Sequence, residues 1–132
     1  MGAILAVDDS ASLRQMVAFA LRSSGYEVLE AADGIEALEA LRTRAVDLVL
    51  TDRNMPGIDG IELVRRIRAG ARQRDVPVLL LTTETSDEVK QAGRAAGATG
   101  WLVKPFDPRR LVEVVRSVLP GHDPGESART QG

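Results

Sequence analysis

At 132 residues the chain is sized for one domain, able to bury roughly two-thirds of its unfolded surface. Charged residues make up 27%, hydrophobic ones 44%, and the net charge is -2, which gives no reason to expect nucleic acid or an acidic membrane as partner. The absence of cysteine excludes disulfides, thiolate metal ligands and a thiol nucleophile.

The elements follow in chain order. Ala3–Val7 is a short apolar run that reads as a strand. After it Leu13, Met16, Val17, Ala20 and Leu21 recur at helical spacing, and Gly25 closes that helix. Residues 27–31 form a second strand, and Asp33-Gly34-Ile35-Glu36 resembles a capping box, with Ile35, Leu38 and Leu41 on one helix face. Leu48–Thr51 is a third strand ending at Asp52. The next helix opens at Asp59, with Glu62 three residues on and Ile61, Val64 and Ile67 as its apolar stripe. A fourth strand, Val78–Leu81, ends at Thr82. Its helix is expected to start at Thr85, with Glu88 in the reciprocal position; a thin stripe (Val89, Ala92, Ala96) and Gly93 make it the weakest of the five. Trp101–Val103 is the fifth strand, ending at Lys104. Asp107 caps the last helix, Pro108 sits at its first position, Leu111, Val114, Val115 and Val118 face inward, and Pro120 ends it. Strands alternating with helices predict an α/β three-layer sandwich around a parallel sheet. The domain is expected over residues 1–119, with 120–132 a disordered tail.

In open parallel sheets, sites lie outside the carboxyl ends of the strands. Asp8, Asp9, Asp52, Thr82 and Lys104 all fall there. Asp33, Asp59 and Asp107 stand directly before helices and read as N-caps. Asp52 does not, because Arg53, Asn54, Met55 and Pro56 separate it from the turn at Gly57. Asp9 or Ser10 suits a cap for the first helix, but two adjacent acids do not follow from capping. Asp8, Asp9 and Asp52 together require either a raised pKa or a hard cation, for which oxygen donors in this number suit Mg²⁺. The run Arg65, Arg66, Arg68, Arg72, Arg74 lacks interleaved aromatics and reads as a solvated helix face.

Four segments taken in order, Val7-Asp8-Asp9-Ser10, Thr51 to Gly60, Leu80-Leu81-Thr82 and Val103-Lys104-Pro105-Phe106, resemble the receiver domains of two-component response regulators. The look is that of single-domain chemotaxis regulators of the CheY type, over about residues 3–119. The resemblance implies a doubly wound, flavodoxin-like (βα)5 fold with strand order 2-1-3-4-5, an order for which this family is itself a well-known example. It implies that Asp52 takes a phosphoryl group from a histidine kinase, and that Asp9, Asp52 and the Asn54 backbone carbonyl bind Mg²⁺ directly, with Asp8 acting mainly through water. Lys104 would neutralise phosphoryl charge, and Thr82 would donate its hydroxyl to a phosphoryl oxygen. Trp101 stands where the family usually has Tyr or Phe as a switch ring, and its size is expected to make the inward state harder to reach. Thr83 stands where Ala or Gly is usual; with Asn54 and Glu84 it is expected to set phosphoryl lifetime.

The implied function is a stand-alone phosphoacceptor that catalyses only its own phosphorylation and dephosphorylation. Its output partner, such as the flagellar motor switch, would bind the surface of the fourth helix, fifth strand and fifth helix. A phosphatase is a further candidate partner; nucleic acid and membrane are not, and a monomer is expected. No apolar stretch approaches the roughly 20 residues of a membrane span, and Met1-Gly2-Ala3-Ile4 lacks a signal peptide's basic region, so a cytoplasmic location is expected. The alternatives are a phosphate sink or shuttle, the receiver piece of a longer regulator, and a small Mg²⁺-dependent phosphohydrolase. The last fits poorly, since haloacid-dehalogenase-type enzymes separate their two acids by one residue. A flavodoxin would need a Ser/Thr/Gly phosphate loop after the first strand.

Overall fold

The computed structural model describes residues 2–70, 72–84 and 86–119. Five strands alternate with five helices: β1 (Ala3–Val7), α1 (Ala11–Ser23), β2 (Glu27–Ala31), α2 (Gly34–Thr43), β3 (Leu48–Asp52), α3 (Gly60–Ala69), β4 (Val78–Thr82), α4 (Asp87–Ala96), β5 (Gly100–Val103) and α5 (Pro108–Val118). The strands form one parallel sheet in the order β2-β1-β3-β4-β5. This is the doubly wound flavodoxin-like arrangement expected. Asp52 and Thr82 are the last residues of their strands rather than the first beyond them, and β5 begins one residue earlier than expected, at Gly100.

The three inner strands are buried on both faces, which is why they read as unbroken apolar runs. Their side chains alternate between two cores. Leu5, Val7, Val49, Val78 and Leu80 pack under α2, α3 and α4, with Leu41, Leu63, Val64 and Ile67. Ile4, Ala6, Leu48, Leu50, Leu79 and Leu81 pack under α1 and α5, with Val17, Leu21, Leu111 and Val115.

The caps fall largely where the residue types dictate. Asp33 accepts from the Glu36 amide, Asp59 from that of Glu62 and Asp107 from that of Arg109. Ser10, not Asp9, caps α1, accepting from Leu13. Ser86 caps α4, accepting from Val89; Thr85, the expected cap, lies outside the described residues, as does the tail 120–132 for which disorder is expected. Ile35 departs from the expected inward face of α2: it is 62% exposed, while Gly34, Ala37 and Leu41 are buried. The buried line of α2 runs through Gly34, Ala37 and Leu41, with Gly34 packed on Ile58 so closely that a Cβ there would come within 2.8 Å, and Ile35 falls off that line.

The arginine run is engaged with the protein itself. Arg65 and Arg66 pair with Glu62, and Arg72 donates to the Arg42 carbonyl. Arg68 departs from a purely solvated face. It donates to the carbonyls of Gly97, Arg74 and Val76, stapling α3 to the end of α4 and the entry to β4.

Gly60 carries a tighter constraint. A Cβ there would lie 2.5 Å from the Asp52 carbonyl oxygen and 2.8 Å from the Arg53 Cα, so α3 begins hard against the end of β3. At an unhindered helical position Gly→Ala gains about 0.4–1 kcal/mol. Gly60→Ala is expected to invert that sign and cost about 2 kcal/mol, since backbone atoms cannot yield as a flexible side chain does. The midpoint of urea unfolding checks it.

Candidate functional site

Sheet register assembles the site. Val7 pairs with Thr51 on the adjacent strand, so Asp8 and Asp52 follow side by side at the carboxyl edge. Thr82 pairs with Val103, which puts Lys104 just beyond Thr82. From β5 to β3 is two strand spacings, about 9–10 Å, a gap that needs a long side chain. Lys104 crosses it: its Nζ donates to Asp52 Oδ1 at 2.6 Å and lies 3.9 Å from Asp8 Oδ2. Its backbone is fixed by donation to the Thr82 carbonyl at 2.8 Å. The Lys104–Pro105 peptide is cis.

Asp8, Asp9 and Asp52 each bring a carboxylate oxygen within 4.8 Å of the others. Asp8 and Asp52 are buried and Asp9 is exposed. Asp8 is anchored from several sides. Its Oδ1 accepts from the Ser10 amide, its amide donates to Ala31, and its carbonyl accepts from Arg14. Its Oδ2 is the one buried side-chain oxygen or nitrogen among the described residues without a hydrogen-bond partner. Burial pushes the Asp8 carboxyl above its ordinary range, against the pull of the Ser10 amide, with Asp52 adding repulsion and Lys104 attraction. Three acids face one ammonium, leaving two negative charges if all are ionised. At 5 Å each like-charge pair costs roughly 3 kcal/mol at an effective dielectric of about 20. An orphaned, buried, anionic oxygen in an all-oxygen donor set fits a hard divalent cation.

Thr82 is buried at the same edge, but its hydroxyl does not join the carboxylates. It accepts from the Glu84 amide at 3.0 Å and from Arg53 Nε at 3.3 Å, and it lies 3.4 Å from the Glu84 carbonyl. Arg53 Nη2 pairs with the Glu84 carboxylate. Arg53 is therefore a residue of this site that the sequence pattern did not single out. The available signal was an arginine directly after the strand-end acid and a glutamate two places after the strand-end threonine. Asn54, Thr83 and Glu84 are exposed at the rim. Trp101 lies apart from the carboxylates. Its half-buried ring packs against the core under α4, with the Lys90 ammonium 5.9 Å and the Arg94 guanidinium 5.5 Å from its centroid.

The response regulator receiver domain family matches residues 4–116. The phosphate regulon transcriptional regulatory protein PhoB of Pseudomonas aeruginosa is 41% identical over 124 residues, covering 94% of this chain but 54% of that protein; the chain spans about half that relative's length. The structure of Vibrio cholerae chemotaxis protein CheY4 superposes with a TM-score of 0.86 at 50% identity, covering 89% of this chain and 98% of that one. The receiver domain of a Pseudomonas aeruginosa sensor histidine kinase, solved with magnesium coordinated in its active-site cleft, matches with a TM-score of 0.82 at 31% identity, covering 91% and 98%.

The charge imbalance gives a test independent of any reaction. Asp8→Asn keeps an acceptor for the Ser10 amide and removes one buried negative charge. In chelator-treated protein at pH 7 it is expected to raise stability by about 1 kcal/mol, with Mg²⁺ narrowing the difference. The sign with pH follows from the raised Asp8 pKa. A carboxyl whose folded pKa is raised contributes stability below its unfolded value and loses it as pH rises through the folded one. The advantage of Asn should therefore fade as pH falls into the carboxylate range. Urea melts at several pH values, with and without Mg²⁺, check both parts.

Proposed function

The chain belongs to the response regulator receiver domain family, and from that premise we propose that it is a phosphorylation-switched binding module whose phosphoacceptor is Asp52. The observation that carries the reading is Lys104 Nζ at 2.6 Å from Asp52 Oδ1 within a cluster of three carboxylates. A histidine kinase supplies the group as phosphohistidine. A carboxylate oxygen of Asp52 bonds to phosphorus as the N–P bond breaks, and the imidazole nitrogen keeps the electron pair and takes up a proton. Lys104 orients the nucleophile through Oδ1 and follows the charge onto the phosphoryl oxygens.

Asp9, Asp52 and the Asn54 backbone carbonyl are the proposed Mg²⁺ ligands, with the Asp8 carboxylate acting mainly through water. When bound, the ion supplies neutralisation of charge on the phosphoryl oxygens. The support is the donor chemistry of the cluster and the magnesium in the cleft of the Pseudomonas receiver. Thr82 is the proposed donor to the phosphoryl group and, with Trp101, the switch. Asn54, Thr83 and Glu84 act on phosphoryl lifetime: the polar pair flanks the path of attacking water, and the β-branched residue restricts entry.

The output face is the surface of α4, β5 and α5. The finer reading is chemotaxis, with the flagellar motor switch as partner, supported by the identity to CheY4 along nearly all of that chain. A second reading, the receiver part of a longer regulator, is favoured by the PhoB match, which spans about half of that protein.

Binding of the beryllofluoride- and Mg²⁺-treated chain to a flagellar motor switch peptide tests this directly. Binding that needs beryllofluoride and disappears in Asp52→Asn is expected. A Trp101 fluorescence change without peptide binding would keep the phosphoacceptor and remove the motor, leaving a sink, a shuttle or another output. Wild-type levels of phosphoryl uptake by Asp52→Asn from a phosphorylated kinase would remove Asp52 as the acceptor.

A further inference from the structure

Arg53 has no part in the chemistry above, yet it is built into the site from three directions. Its amide donates to the Leu81 carbonyl at 2.8 Å, and its own carbonyl accepts from the Gly60 amide at 2.9 Å. The side chain is 16% exposed and reaches across from the end of β3 to the end of β4. There one guanidinium serves two partners, Nε on the Thr82 hydroxyl and Nη2 on the Glu84 carboxylate. A planar fork suits that double duty; a single ammonium does not.

The hydrogen bonds at Thr82 show the consequence. A hydroxyl has two acceptor lone pairs and one proton. Arg53 Nε and the Glu84 amide take the lone pairs, and the proton faces the Glu84 carbonyl at 3.4 Å. Among the described residues Thr82 Oγ1 bonds to neither Asp52 nor Lys104. Turning the hydroxyl toward Asp52 therefore breaks all three contacts together.

We propose that Arg53 is a positioning residue: with Glu84 it forms a clamp that holds Thr82 in a resting orientation, so that the phosphoryl group must pull Thr82 out of it. The proposal rests on the phosphoacceptor reading of Asp52. The clamp adds an energy gap between resting and switched states, and it lowers the apparent affinity for a phosphoryl mimic by the fraction of protein already released. Glu84 thus acts on the site through Arg53 and Thr82, in addition to its place beside the path of water.

The test is a double-mutant cycle read by beryllofluoride titration of the Mg²⁺-saturated protein, following Trp101 fluorescence. Glu84→Ala is expected to tighten the apparent affinity about fivefold in the Arg53 background and less than twofold in Arg53→Ala, because contacting partners are not additive. Arg53→Lys, which keeps the charge and the fold, should behave as Arg53→Ala. Without beryllofluoride, scalar couplings about the Thr82 Cα–Cβ bond should report one rotamer in the parent and averaging in each single variant. An equal effect of Glu84→Ala in both backgrounds would reduce it to a through-space charge and overturn the clamp, as would Thr82 couplings unchanged by either substitution. Asp52→Asn separates the clamp from the reading beneath it: if it binds beryllofluoride like the parent, the phosphoacceptor reading fails, whatever the cycle shows.

Discussion

Uncompensated negative charge is the constraint that the carboxyl edge must accommodate. Three carboxylates lie within 4.8 Å of one another, and one ammonium, that of Lys104, reaches them. The sheet leaves the acids little choice: β1 and β3 are neighbours in register, so Asp8 and Asp52 emerge together. Nor can Asp8 turn away, because the Ser10 amide, Ala31 and Arg14 hold it at side chain and backbone. Repulsion of this size has to be relieved, by a raised carboxyl pKa as at Asp8 or by positive charge brought to the edge. Arg53 stands next to Asp52 in sequence but does not relieve it as a second cation, because its guanidinium is committed to Glu84 and Thr82. The site is thus held ready for a cation at a cost in stability that the rest of the sheet must offset.

The two cores supply that offset. Both faces of β1, β3 and β4 are sealed, so the strand ends are fixed relative to one another by packing rather than by contacts inside the site. Gly60 extends the same logic into α3, which abuts the Asp52 carbonyl so closely that no side chain fits between them. Rigid placement of the strand ends is what a reaction relying on positioning needs.

Most of this was legible from residue types. Fully buried parallel strands read as branched apolar runs, Asp33, Asp59 and Asp107 read as caps, and the polar residues at strand ends marked the edge. What was not legible depends on side-chain direction and on packing between elements distant in sequence. Adjacent acids look alike on paper, yet the strand's end leaves Asp8 buried and Asp9 exposed. Ile35 has the spacing of a core residue but lies off the buried Gly34–Ala37–Leu41 line, where Gly34 packs on Ile58. Arg68 read as one more surface arginine, and only the fold brings the Gly97 carbonyl to it. Thr82 was expected among the carboxylates; its hydroxyl turns instead to Arg53 and Glu84, partners that register and loop geometry supply and that no periodicity encodes.

The resting arrangement also couples two regions that lie far apart in sequence. Glu84 ties the loop after β4 to β3 through Arg53, and that loop leads directly into α4. At α4, Gly93 packs closely on Leu80, where a Cβ would lie 3.1 Å from its Cδ1, with the Trp101 ring in ordinary contact range, and Lys90 and Arg94 cover the ring from the same helix. Cation–π contacts of this kind are worth about 0.5–1 kcal/mol when exposed, enough to bias a ring position but too little to lock it. A displacement that begins at Thr82 and frees Glu84 would reach α4 through its N-terminal end, where the Ser86 side chain caps the helix. It would then change what Lys90 and Arg94 present over Trp101. On the switching reading proposed above, α4, the helix with the thinnest apolar stripe in the sequence, lies between the clamp and the aromatic ring, where a shift at the strand end would be felt first.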